Sequence, residues 1–239
     1  MGERLEALET VPFAAEREWT VEGIGVVSAR IELPKPVPLT GKTARRIWRY
    51  YELQCRSYLR YCEKWLLPQA RAEYDRALAA SAPLPRFQAE LTYRVTYQDE
   101  RFLSLYTQSR EAGGGSTALT RRGDTWDLAQ SCPVPLSSFF PPRSAWRREL
   151  LERLAEEVRR QLRAGAAQYH EDWHKALRRR FNPQNYYLTG EGLALFYPLY
   201  ALAPESGGIP AFVIPYRDLG EAWKGSFTVP PPETDSPGD

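Results

Sequence analysis

Histidine is nearly absent from this chain. Its 239 residues include two, His170 and His174. Any metal site built on them lacks a third histidine. Cysteine is scarce too. Cys55, Cys62 and Cys132 are odd in number and lack C-x-x-C spacing, which excludes a disulfide framework and a zinc knuckle. Cys55 and Cys62 stand seven apart, so on a helix they share a face and read as core. No stretch of about 18 uncharged apolar residues occurs, so no membrane-spanning helix is expected. The opening "MGERLEALETVPFAAEREW" is charged throughout and holds no signal-peptide core. A soluble, cytoplasmic chain is the expectation. Charge of one sign is also missing. The 32 basic and 30 acidic residues nearly cancel, leaving +2. No nucleic-acid partner is expected from that balance.

What is present is material for a core. Hydrophobic residues make up 43% and aromatics 13%, which argues against disorder over most of the length. "VEGIGVVSARIEL" (21–33) reads as strand, with a bend at Gly25. "PKPVPLTG" (34–41) reads as an extended connector. From Thr43 to Ala80 the pattern is helical. Ile47, Tyr50, Tyr51, Tyr58, Tyr61, Cys62 and Trp65 form its apolar stripe, read as core, and Pro68 should kink or divide the helix. Residues 87–112 read as a hairpin turning at "QDE". A glycine loop (112–118) then leads into another strand. A helix is expected from Ser144, as N-cap, to Gly165, with Glu149–Arg153 and Glu156–Arg160 pairs. A second helical piece should span 167–181. "YYLTGEGLALFYPLYAL" (186–202) reads as a hairpin and "IPAFVIPY" (209–216) as a last strand. Strands flank the helices without strict alternation, so the class is α+β. The expected organisation is an N-terminal region (1–86), a larger C-terminal domain (87–226) and a disordered tail (227–239).

One catalytic signature stands out. His170, Glu171 and His174 spell H-E-x-x-H, which on a helix puts two imidazoles on one face and a general base beside the bound water. The context weakens it. Asp172 occupies the first variable position, and "KALRRR" follows directly. The third ligand would be Glu191 or Glu205, neither on a second motif helix. A zinc hydrolase is therefore the alternative reading, and a polar helix face the preferred one. No other motif calls for a cofactor.

Four blocks carry a wider likeness: "RFLSLYTQSREAGGGS", "DTWDLAQSCPVPLSSFF", "NPQNYYLTGEGLALFYPLYALAPESGG" and "AFVIPYRDL". In order and spacing they resemble a bacterial domain family. It occurs in the lysozyme-sensing ectodomain of RsiV-type anti-sigma factors and in the N-terminal part of a class of peptidoglycan deacetylases. The resemblance spans about Ala89–Trp223, and residues 19–70 are similar, more loosely, to a small domain that often precedes it. It implies a non-enzymatic binding or sensing protein for a protein or cell-wall ligand. Family members are often extracellular. Two departures stand out. The glycine loop reads "GGGST" without the family's histidine, and "LSSFF" lacks its aspartate. The loops held by the sheet are the expected binding elements, with Gly114, Gly115 and Ser116 in one and Tyr200, Pro204, Glu205 and Ser206 in the other. Residues 143–180 hold eleven Lys/Arg against six Asp/Glu, which reads mainly as a solvated face.

Overall fold

The structure, a computed structural model, describes residues 8–220 together with Trp223. The chain begins with a hairpin of β1 (Glu9–Val21) and β2 (Ile24–Val37). A helical crossover follows: α1 (Gly41–Tyr61), a π-turn (Cys62–Leu66) and α2 (Leu67–Ala79). Then come β3 (Phe87–Gln98), β4 (Phe102–Gly113), β5 (Ser116–Asp127) and the short β6 (Cys132–Pro133). These six strands form one sheet in sequence order. Only β2 and β3 pair parallel, and a parallel pair needs such a crossover. Helices α3 (Trp146–Arg163) and α4 (Trp173–Arg179) lead to a three-stranded antiparallel sheet. Its strands are β7 (Tyr186–Leu188), β8 (Gly192–Phe196) and β9 (Ala211–Pro215). The class is α+β, as expected. The expected boundary at residue 86 falls in the link between α2 and β3, whereas β2 and β3 on its two sides share one sheet. The expected tail, 227–239, lies outside the described residues.

Burial follows side-chain periodicity. Val27, Ala29, Ile31 and Leu33 on β2, and Phe87, Ala89 and Leu91 on β3, point to one face with period two. The crossover helices cover that face. Their buried line is Ile47, Tyr51, Cys55, Cys62, Leu66, Ala70 and Tyr74. Each fully buried large apolar side chain contributes about 1.5–3 kcal/mol. β4 is buried on both faces at Phe102–Leu105, because the second sheet lies across its other side. There Leu188 donates its backbone N–H to Ser104 Oγ at 2.8 Å.

Several expectations change. The hairpin turn is at Glu22–Gly23, both at positive φ, rather than a bend at Gly25. The prolines of 34–37 belong to β2 instead of a connector, pairing with β1 at Pro34–Pro12 and Pro36–Thr10. Pairing with β3 ends at Ile31, so these prolines need not serve a second neighbour. Pro68 divides the helix, one of its two expected effects, and does so through a π-turn, since it cannot donate back to Lys64. Leu67 N–H bonds five residues back to Cys62. Cys55 and Cys62 are buried, but Trp65 is 62% exposed and Tyr61 39%. Leu66 takes the inward slot that the stripe assigned to Trp65. The α3 N-cap is Ala145, because Ser144 Oγ bonds Pro141 O at 2.8 Å. Its close ion pair is Arg160–Glu157 at 2.6 Å, one turn position away from the expected Glu156–Arg160.

Candidate functional site

Along β5 the side chains alternate between two surroundings. Asp124 and Trp126 face α1, where Tyr50 Oη donates to Asp124 Oδ1 at 2.7 Å and Trp126 Nε1 to Tyr51 Oη at 3.3 Å. Gly123 and Thr125 face the second sheet. A Cβ on Gly123 would stand 1.9 Å from the Tyr186 carbonyl oxygen. On its outer side β5 meets β6 only at Trp126 and Asp127, plus one bond from Val134 N–H to Thr125 O at 2.7 Å. Residues 116–124 therefore have β4 on one side and, among the described residues, no strand on the other.

A cleft of about 750 Å³ lies along this edge. Residues 121–125, 133–137 and 183–186 line it, with Trp146 and Arg147 at the start of α3. Five consecutive strand residues line one wall although their side chains alternate faces. The cleft therefore runs along the strand edge, not over one face of the sheet.

Three guanidiniums border it, each set on aromatic rings. Arg121 lies 4.3 Å over Tyr106 and donates twice to Gln108 Oε1, at 3.1 and 2.8 Å. Arg122 lies 5.2 Å from the Tyr50 ring. Arg147 lies 5.5 Å from Phe181 and 5.8 Å from Trp146. An arginine carries five N–H donors in a fixed fork. Arg121 thus keeps donors to spare after bonding Gln108. Cation–π contact and the Gln108 bonds hold the forks in place before any ligand arrives.

Among the described residues Asp124 is the one carboxylate lining the cleft. It is 7% exposed, and its Oδ2 has no hydrogen-bond partner among the described residues. Burial pushes its pKa above the ordinary carboxylate range, opposed by the Tyr50 hydrogen bond and then by Arg122. Arg122 Nε stands 3.4 Å from Oδ1 on the same strand face, two residues away. Three arginines against one aspartate leave the cleft net positive.

The residues singled out from sequence go elsewhere. Gly114 and Gly115, at φ +57° and +76°, are the two central residues of the β4–β5 hairpin turn, closed by Gly113 opposite Ser116. Such a turn needs two residues at positive φ. Gly114 sits beside Phe87 and Glu73. The turn lies about 23 Å along β5 from Gly123, at roughly 3.3 Å per residue. Tyr200, Pro204, Glu205 and Ser206 occupy the β8–β9 loop. There Leu202 O accepts the His170 backbone N–H at 2.9 Å. A hydrogen bond to Glu205 raises the Tyr200 hydroxyl pKa. The structure does not bring the two loops together at the cleft.

The histidine motif is not helical at its start. α4 begins at Trp173, with Asp172 as N-cap, so the expected helix over 167–181 is shortened to about two turns. Gly165 at φ +62° ends α3 before it. His170 and Glu171 precede α4, and the same-face geometry that H-E-x-x-H relies on does not form. His174 and Glu171 are exposed, and His170 is half-buried. Among the described residues no three His, Cys, Asp or Glu side chains cluster as metal ligands.

Residues 137–217 match the family described as "Protein of unknown function (DUF3298)". No curated protein matches the chain. Two solved structures of DUF3298 proteins share its fold. One, from Bacteroides fragilis, aligns with TM-score 0.68 at 16% identity, over 92% of this chain and 95% of that one. The other, from Pseudomonas aeruginosa, gives 0.58 at 21%, over 90% and 94%. The matched region includes Arg147, Asn185 and Tyr186 of the cleft lining, and it also includes the β8–β9 loop, which lies outside the cleft. The β5 wall with Arg121, Arg122 and Asp124 lies outside it. The described helices include none long and apolar enough to cross a membrane.

Sequence reasoning missed this cleft because four separate segments build it. In the sequence, Arg121 and Arg122 fall within an expected strand, and Arg147 within the basic stretch 143–180. The adjacent arginine pair beside a glycine in "TRRGDTW" was the available signal.

Proposed function

We propose that this chain is a non-catalytic binding module whose ligand carries negative charge and enters the cleft beside β5. The observation that supports it is the set of three guanidiniums held on aromatic rings around a 750 Å³ opening. Pre-set arginine forks recognise carboxylates or phosphates bidentately and lose little side-chain freedom on binding. This reading keeps a binding role and moves it from the loops at 112–118 and 200–208 to the strand edge. It fits a protein or a cell-envelope polymer, provided the ligand is acidic.

The test is binding of fluorescein-labelled poly-glutamate to the full chain at low salt. Arg121→Ala with Arg147→Ala is expected to weaken it by about 30-fold or more, since arginine anchors are worth about 2 kcal/mol. Raising ionic strength should weaken the wild type further by screening. Pro204→Ala and Glu205→Ala should leave affinity unchanged. Equal affinity for the arginine double variant would remove the cleft as the site, and a loss confined to the Pro204 and Glu205 variants would return the site to the β8–β9 loop.

A further inference from the structure

The binding reading leaves the shape of the ligand open, and the backbone of β5 narrows it. In an antiparallel ladder, successive residues direct their N–H and C=O alternately to one neighbour and to the other. Thr125 O accepts from Val134, so Thr125 points outward, away from β4. The β4–β5 register runs from Phe102–Asp127 to Gly113–Ser116 without a shift. The same parity therefore turns the backbone groups of Gly123, Arg121, Leu119 and Thr117 outward. No described strand meets them, and β6 stops at the level of Trp126.

Native sheets protect such an edge with charged side chains, proline, a bulge or a covering segment. Between Thr117 and Gly123 β5 has no proline and no bulge. It carries only the arginine pair, and the cleft gives access to the strand along 121–125. We infer that the cleft takes an extended acidic peptide segment, which adds to the sheet as a further strand along the open edge of β5.

The inference rests on the anionic-ligand reading and adds the peptide backbone. Outward N–H and C=O groups at Arg121 and Gly123 form a donor–acceptor pattern that repeats every second residue. A peptide backbone matches that repeat, and a polyphosphate or an acidic polysaccharide satisfies the arginines alone. Strand addition draws affinity from main-chain bonds and specificity from alternate side chains. Acidic residues of one parity would meet Arg121, and those of the other parity Arg122. Opposite charges paired across strands are favourable.

Fluorescence anisotropy of the full chain with labelled peptides separates the two levels. The probe is an acetylated decapeptide of alternating Glu and Val. Two further versions carry N-methyl groups on the odd or on the even amides, and inorganic polyphosphate is the anion without a backbone. The plain decapeptide is expected to bind. One N-methyl version should lose about tenfold or more through the loss of two or so main-chain bonds, while the other keeps its affinity. Arg121→Glu should abolish all binding. Equal affinity of all three peptides, or binding of polyphosphate but not of the decapeptide, overturns strand addition and leaves the anionic cleft standing. If neither peptide nor polyphosphate binds, both readings fall.

Discussion

Gly123→Ala is expected to lower the melting temperature by roughly 5–10 °C. A Cβ there would lie 1.9 Å from the Tyr186 carbonyl oxygen and 3.3 Å from the Phe196 ring. The ring can tilt away. The carbonyl is main chain, and β5 and β7 must separate to make room. Overpacking of this kind costs about 1–3 kcal/mol, and in a chain of this size each kcal/mol moves the midpoint by about 2–4 °C. Gly115→Ala provides the contrast. No atom lies within 4 Å of its added Cβ, and only the φ of +76° opposes it. The left-handed conformation costs about 1–2 kcal/mol for a residue with a Cβ. Its midpoint should fall by only a few degrees. Thermal denaturation of both variants checks the ranking. A Gly123→Ala midpoint within about a degree of wild type would mean that the two sheets are not in contact there.

This contact also marks where sequence stopped being informative. Hairpin β3–β4 was legible because Leu91 alternates with polar neighbours and "QDE" is a turn. The β7–β8 hairpin was legible for similar reasons. β1 was not. It is an edge strand on which only Trp19 is buried; Phe13, Ala15 and Val21 share that face but are only partly covered, and Pro12, Ala14 and Arg17 break the apolar–polar alternation. The helical stripe was off by one at Trp65 because a π-turn inserts a residue into the period. The cleft was invisible for a topological reason. Gly123 is a lone glycine in a strand pattern, which signals close backbone approach without saying to what. The partner, Tyr186, is 63 positions away, on the other sheet. The histidine motif illustrates the reverse case: correct spacing, but no helix under its first two residues.

Tyr50→Phe should carry the second large effect, and its size should depend on pH. The Tyr50 hydroxyl is the hydrogen-bond donor to Asp124 Oδ1, at 2.7 Å, under a cover that leaves Asp124 7% exposed. Removing a donor from a buried carboxylate costs about 2 kcal/mol or more while the group is charged. The sign for the wild type follows from burial. Asp124 is pushed above its ordinary pKa, so folding favours its protonated form. Its contribution is fully present below about pH 4, the unfolded value, and is lost as pH rises through the folded pKa. Without Tyr50, the largest influence opposing that shift is gone, and the folded pKa rises further. Tyr50→Phe should therefore cost more at pH 8 than at pH 4, where a neutral carboxyl has less need of a donor. Asp124→Asn should flatten the dependence above pH 4, and adding Tyr50→Phe to it should cost less than Tyr50→Phe alone. A denaturant-unfolding cycle of the four proteins at both pH values measures this coupling directly. An equal penalty at pH 4 and pH 8, or additive single effects, would show that the Asp124 charge does not depend on Tyr50.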